Sequence, residues 1–225
     1  MKKGLTEIVF ILDRSGSMHG LEDDTICGFN AMIEKQKKED GYAFVSTVLF
    51  DNTSEVIHDR VDLRDIQPLT EEEYYVRGCT ALLDAVGSAI THIGNVHKYA
   101  RDEDVPEHTI FIITTDGMEN ASHTYSYSRV KELISRMKRK YNWEFLFLGA
   151  NIDAAATARS MGIASNRSAE YECDGEGTQL NYSAMGKVLS SVRNDCPIPE
   201  DWSHEVEAHR TEAKKSSHGI FRKHK

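Results

Sequence analysis

Apolar and polar positions along this chain fall into short buried runs that alternate with helical stripes. Ile8-Val9-Phe10-Ile11-Leu12 is an unbroken apolar run ending at Asp13, and it reads as a strand buried on both faces. From Leu21 to Lys38 the apolar residues Ile26, Phe29, Ala31, Met32 and Ile33 recur at helical spacing, and Ser17 or a neighbour is placed to cap that helix. Tyr42 to Phe50 (YAFVSTVLF) is a second strand. Asp51-Asn52-Thr53-Ser54 is turn chemistry, so the less regular run Glu55 to Leu63 is expected to return antiparallel at an edge. After a polar connection, a helix is expected from about Ala81 to Tyr99. His108 to Thr115 (HTIFIITT) is the most strand-like run of all.

A helix over Arg129 to Tyr141, a strand over Trp143 to Leu148, a helix through Met161, a weak strand near Ala169 to Cys173 and a helix from Thr178 to Arg193 follow. Strands alternating with helices predict a doubly wound, mostly parallel α/β sheet with one antiparallel edge strand and helices on both faces, a Rossmann-like arrangement. The expected domain is residues 1–196. Pro197 and Pro199 break the pattern, and residues 197–225 are so polar that a flexible tail is expected.

Composition narrows the function. A net charge of −9 over 225 residues argues against nucleic acid as the main partner. No apolar run is long enough to span a bilayer and no cleavable signal precedes the first strand, so no membrane and a cytoplasmic location are expected. Cys27, Cys79, Cys173 and Cys196 lack metal-site spacing and read as reduced thiols, Cys79 as an inert, partly buried one. The basic run Arg136 to Lys140 reads as the wet face and end of a helix. His92 and His97 read as helix-surface residues.

The chemistry gathers at strand ends. Asp13-x-Ser15-x-Ser17 follows the first strand, Thr80 lies behind Gly78 at a helix start, and Asp116 follows the HTIFIITT strand. In open α/β sheets, ligands bind just beyond the carboxyl ends of strands. If these two strands are neighbours, three hydroxyls and two carboxylates converge, an all-oxygen donor set for a hard cation such as Mg²⁺ or Mn²⁺. Each residue alone is better explained as a cap or turn former; the five together point to metal.

The segments DRSGSM (Asp13 to Met18), Gly78-Cys79-Thr80 and TTDG (Thr114 to Gly117) resemble, in order and placement, the metal-ion-dependent adhesion site (MIDAS) of von Willebrand factor A domains of the bacterial intracellular type. Cys79 departs from the second glycine usual there. The resemblance implies a divalent cation held by Ser15, Ser17 and Thr80, with Asp13 and Asp116 binding directly or through water and a partner's carboxylate as the last ligand. It implies a non-catalytic protein-binding module working beside an ATPase or another assembly component. His19, Arg14, Asn52, Arg77, Glu119 and His123 flank the site loops and are candidates to touch that partner. The competing reading is a Mg²⁺-dependent phosphatase-like hydrolase with Asp13 as nucleophile. It lacks a second acid, since Ser15 stands two residues on.

Overall fold

The computed structural model describes residues 1–221, and the side chains of residues 1–215. Six strands form one sheet: β1 (Lys2–Asp13), β2 (Tyr42–Phe50), β3 (Ser54–Asp62), β4 (Pro106–Thr115), β5 (Glu144–Gly149) and β6 (Ser168–Glu170). Their spatial order is β3-β2-β1-β4-β5-β6, with every pairing parallel except β2–β3. The doubly wound sheet and its antiparallel edge therefore stand as the hydrophobic pattern predicts.

The helices are α1 (Glu22–Gln36), α2 (Leu82–Tyr99), α3 (Tyr127–Tyr141), α4 (Ala154–Ser160), α5 (Gly175–Arg193) and α6 (His204–Phe221). Alternation along β1 sends Ile8, Phe10 and Leu12 to a core shared with α1 and α5. Val9 and Ile11 go to a second core shared with α2, α3 and α4. Both faces of the central strands are thus covered, which is why those strands are apolar without alternation. The helix predicted from Leu21 begins at Glu22, and no side chain caps it; Ser17 is engaged elsewhere.

Two expectations about how elements pack fail in the structure. The segment after residue 196 carries α6, and Ile198, Trp202 and Val206 are buried in the α1/α5 core. The Trp202 indole donates to the Asn166 carbonyl at 3.0 Å, Lys187 pairs with Glu205 at 2.8 Å, His209 meets Asp174 at 3.1 Å, and Arg210 pairs with Glu170. Three well-placed apolar side chains, Ile198 and Trp202 on the approach to α6 and Val206 in its first turn, suffice because α5 and β6 already supply the opposing wall. The part of the tail expectation that concerns residues 222–225 lies outside the described residues. The second correction is His97, which is buried, stacks edge-on against Trp143 and meets the fully buried Glu7 at 3.2 Å. His92 is exposed, as expected, and contacts Asp59.

The chain leaves β1 toward β2 on one side of the sheet and leaves β4 toward β5 on the other. A crevice therefore opens beyond the carboxyl ends of β1 and β4, the position at which this topology accommodates ligands.

Candidate metal centre

Asp13 is the last residue of β1 and Thr115 the last of β4, on adjacent parallel strands. The Thr115 hydroxyl donates to Asp13 Oδ2 at 2.5 Å, while Asp13 Oδ1 accepts the Ser15 amide at 2.7 Å. That second bond is an Asx turn, which bends the chain sharply off the strand. A single 3₁₀ turn, Gly16–Met18, then brings Ser17 back over the crevice. The Ser17 hydroxyl donates to Asp116 Oδ1 at 2.5 Å, across 99 residues of sequence.

Thr80 arrives by a different route. Its loop is pinned by backbone bonds from Arg77 N to Arg14 O at 2.9 Å, from Gly16 N to Gly78 O at 3.1 Å and from Ala81 N to Asp51 O at 2.8 Å. Asn52 Oδ1 accepts the Cys79 amide at 2.6 Å, and Asn120 Oδ1 accepts the Thr80 amide at 2.9 Å. Gly78 has φ +70°, and a Cβ there would lie 2.0 Å from Asn52 Oδ1, so only glycine fits. Cys79 is not among the residues with positive φ, so a side chain in place of glycine adds no backbone strain. Its thiol is exposed, not partly buried as expected.

All five predicted residues come together. Thr80 Oγ1 donates to Ser15 Oγ at 3.1 Å, and Ser15 Oγ lies 3.1 Å from Ser17 Oγ. Adjacent ligands of an octahedral Mg²⁺, each about 2.0–2.1 Å from the ion, stand about 3 Å apart. The two hydroxyl pairs already have that spacing. A Cβ on Gly117 would lie 3.1 Å from both Ser17 Oγ and Thr80 Oγ1, so the cradle is open only because residue 117 lacks a side chain. Asp13 and Asp116 are 1% and 2% exposed.

Burial governs the electrostatics. It raises the Asp13 carboxyl to about 6, against the opposing hydrogen bonds from Thr115 and Ser15. It also raises Asp116, against the Ser17 hydroxyl. Two carboxylates held in a poorly solvated crevice with only neutral donors are short of positive charge, and a divalent cation would supply it. The donor set therefore fits a hard cation. Among the described residues, no group of three or more His, Cys, Asp or Glu side chains gathers into an alternative metal cluster.

The flanking residues divide. Arg14 is fully buried and turned away from the cradle: it reaches Asp51 at 3.0 Å, Glu55 at 2.7 Å and the Glu73 carbonyl at 3.4 Å. It clamps the surrounding loops and cannot touch a partner. Glu119 caps the start of α2 through the Leu83 amide at 2.8 Å, and Asn52 is spent on Cys79. His19, Arg77 and His123 remain exposed at the rim. Three contributors escaped the sequence reading. Thr115 holds Asp13; Tyr74 OH donates to the Asp13 carbonyl at 2.6 Å; Cys173, its thiol raised to about 11 chiefly by burial and then by Asp116, lies 3.8 Å from Asp116 Oδ2. Only Thr115, a hydroxyl directly before Asp116, carried a local signal.

No protein-family model matches the chain, and no curated protein matches it by sequence. Solved structures do. Proximal thread matrix protein 1 of the mussel byssus, in the form whose MIDAS motif holds zinc, matches with a TM-score of 0.57 and 13% identity over 83% of this chain and 46% of its own. A von Willebrand factor type A protein from Catenulispora acidiphila matches at 0.56 and 16% identity, over 83% of this chain and 42% of its own. The manganese-loaded TRAP protein of Plasmodium vivax matches at 0.57 and 17% identity, over 77% and 70%. This chain spans less than half the length of the first two. At these identities the likeness shows the fold, and the fold is that of von Willebrand factor A domains.

Proposed function

We propose that this chain, with its von Willebrand factor A fold, is a non-catalytic protein-binding module that docks an acidic residue of a partner on a bound divalent cation, Mg²⁺ or Mn²⁺. Ser15, Ser17 and Thr80 hold the ion through their hydroxyls. Asp13 and Asp116 hold it directly or through water. Neutral hydroxyls leave the cation's charge largely unquenched, so it retains affinity for one more anionic oxygen, the partner's carboxylate. The observation that carries this reading is the pair of 3.1 Å hydroxyl contacts, Thr80–Ser15 and Ser15–Ser17, set over two buried carboxylates.

The hydrolase alternative fares worse on the same geometry. Both oxygens of Asp13 already accept hydrogen bonds and the residue is buried, which leaves it poorly placed to attack an ester. Four free thiols, three of them exposed, support a reducing, cytoplasmic setting. No described helix is long and apolar enough to cross a membrane. The bacterial proteins that the motifs resemble point to an ATPase or another assembly component as the partner.

Thr80→Ala tests the reading. The lost hydroxyl bond to Ser15 should cost about 1 kcal/mol of stability, and the fold should persist. Metal-dependent capture of a partner from host lysate should be abolished, since a missing ligand oxygen weakens or misplaces the ion. Full metal-dependent binding by the variant, or turnover of a generic phosphate ester by the wild type, would refute the proposal.

A further inference from the structure

At the opposite edge of the sheet lies a second, unrelated concavity. α2 begins beside Thr80 at the carboxyl edge and runs back to Tyr99, just before β4 starts. α3 runs back the same way, from the loop after Asp116 to Tyr141 before β5. Between the final turns of these two helices is a cavity of about 340 Å³ that shares no residue with the metal centre. Gly94 opens its floor, because a Cβ there would meet Met137 Cε at 2.8 Å.

Lys98, Arg136 and Lys140 line this cleft, together with Asn95, Thr91 and Tyr141. All three cations are exposed, no acidic side chain lines the cavity, and none of the three is in an ion pair among the described residues. The surplus is local: between Tyr127 and Tyr141 the chain carries six basic side chains against one acidic, although its net charge is −9. Helix dipoles do not account for it. Each helix end offers about half a unit of negative charge, so two ends neutralise roughly one cation and leave the rest unbalanced. Three cations around a concave site suit an anion that accepts from several directions, which a tetrahedral phosphate does.

We propose that the α2–α3 cleft is a binding site for a phosphate-bearing ligand of small-molecule size. The side-chain roles follow from chemistry: Arg136 offers a planar pair of donors to one face of the phosphate, and the Lys98 and Lys140 ammoniums close on the remaining oxygens.

The experiment is calorimetric titration of the full chain with inorganic pyrophosphate in EDTA, so that no metal-held anion at the other site contributes. A second arm measures co-sedimentation with phosphatidylcholine vesicles doped with phosphatidate, and a third titrates poly-glutamate. Arg136→Gln combined with Lys140→Gln keeps good helix formers at both positions and should weaken phosphate binding by about tenfold per lost contact, hence roughly a hundredfold. Lys35→Gln with Lys38→Gln, the same charge change at the C-terminal end of α1 and in the turn just after it, across the sheet, should leave it within about twofold, as expected for distant independent sites. Binding of pyrophosphate alone supports a soluble ligand, and binding of phosphatidate vesicles supports a lipid headgroup. No binding in either arm, equal loss in the α1 control, or preference for poly-glutamate over phosphate would overturn the proposal.

Discussion

Asp13→Asn should stabilise the metal-free protein while abolishing its response to Mg²⁺. Burial lifts the Asp13 carboxyl from an ordinary 3.8 to about 6. Between those values the folded chain keeps a proton that the unfolded chain has released. Stability therefore falls as pH rises through about 4 to 6, and above that window the full cost of ionising Asp13 is present. At 1.36 kcal/mol per pH unit that cost is about 3 kcal/mol at neutral pH. Asparagine removes the charge and keeps the hydrogen bonds. Its oxygen can accept the Ser15 amide, and its NH₂ can donate to Thr115 Oγ1, whose proton then goes to the Gly117 carbonyl 3.1 Å away. In EDTA at pH 7 the variant should melt roughly 5–10 °C above wild type. The gap should close below about pH 4, where both states of Asp13 are protonated. Taking the difference between the two proteins cancels groups that titrate in the same range, such as His58, whose burial lowers its pKa. Free Mg²⁺ at about a hundred times its Kd should return about 2.7 kcal/mol to the wild type and little to the variant. Thermal melts across pH with and without Mg²⁺ are the assay. A variant no more stable than wild type at pH 7 in EDTA, or a gap independent of pH, would refute the burial argument.

Gly117→Ala should weaken Mg²⁺ binding by tenfold or more in calorimetry and leave the melting temperature within a few degrees, since its methyl meets Ser17 Oγ and Thr80 Oγ1 at 3.1 Å and little else. Gly28→Ala should destabilise by about 1–2 kcal/mol in denaturant titration. The Cβ would lie 2.4 Å from the buried Tyr182 ring, and this overpacking of about 1–3 kcal/mol outweighs the helix-propensity gain of up to about 1 kcal/mol. Trp202→Ala should cost about 3–5 kcal/mol and free α6 from α5, read as new protease cleavage after residue 201; an unchanged melting temperature would show that α6 docks without it.

Several elements were legible from residue spacing because their identity is a local property. β1 and β4 are apolar on both faces, so their interior position and parallel partners follow from the runs themselves. β3 follows β2 after a tight turn and, among the described strands, pairs with it alone at the sheet edge. DRSGSM and Asp116 fall directly at strand ends, which makes Asp13, Ser15, Ser17 and Asp116 candidates before any coordinates are known. Thr80 is different: 65 residues separate it from Ser15, and it reaches that hydroxyl only because Asp51, Asn52 and Asn120 pin its loop. Arg14 sits between two site residues, yet the fold turns it inward toward Asp51 and Glu55. Likewise His97 on α2 is covered by Glu7 from β1 and by Trp143 from the connection just before β5. The docking of α6 depends on a few apolar side chains whose value exists only once α5 and β6 present a surface to them. Spacing along the chain determines which element forms and which face is apolar. Which charge is buried, which hydroxyls meet and which polar helix finds a wall are settled by contacts between residues far apart in sequence, and those only the tertiary structure decides.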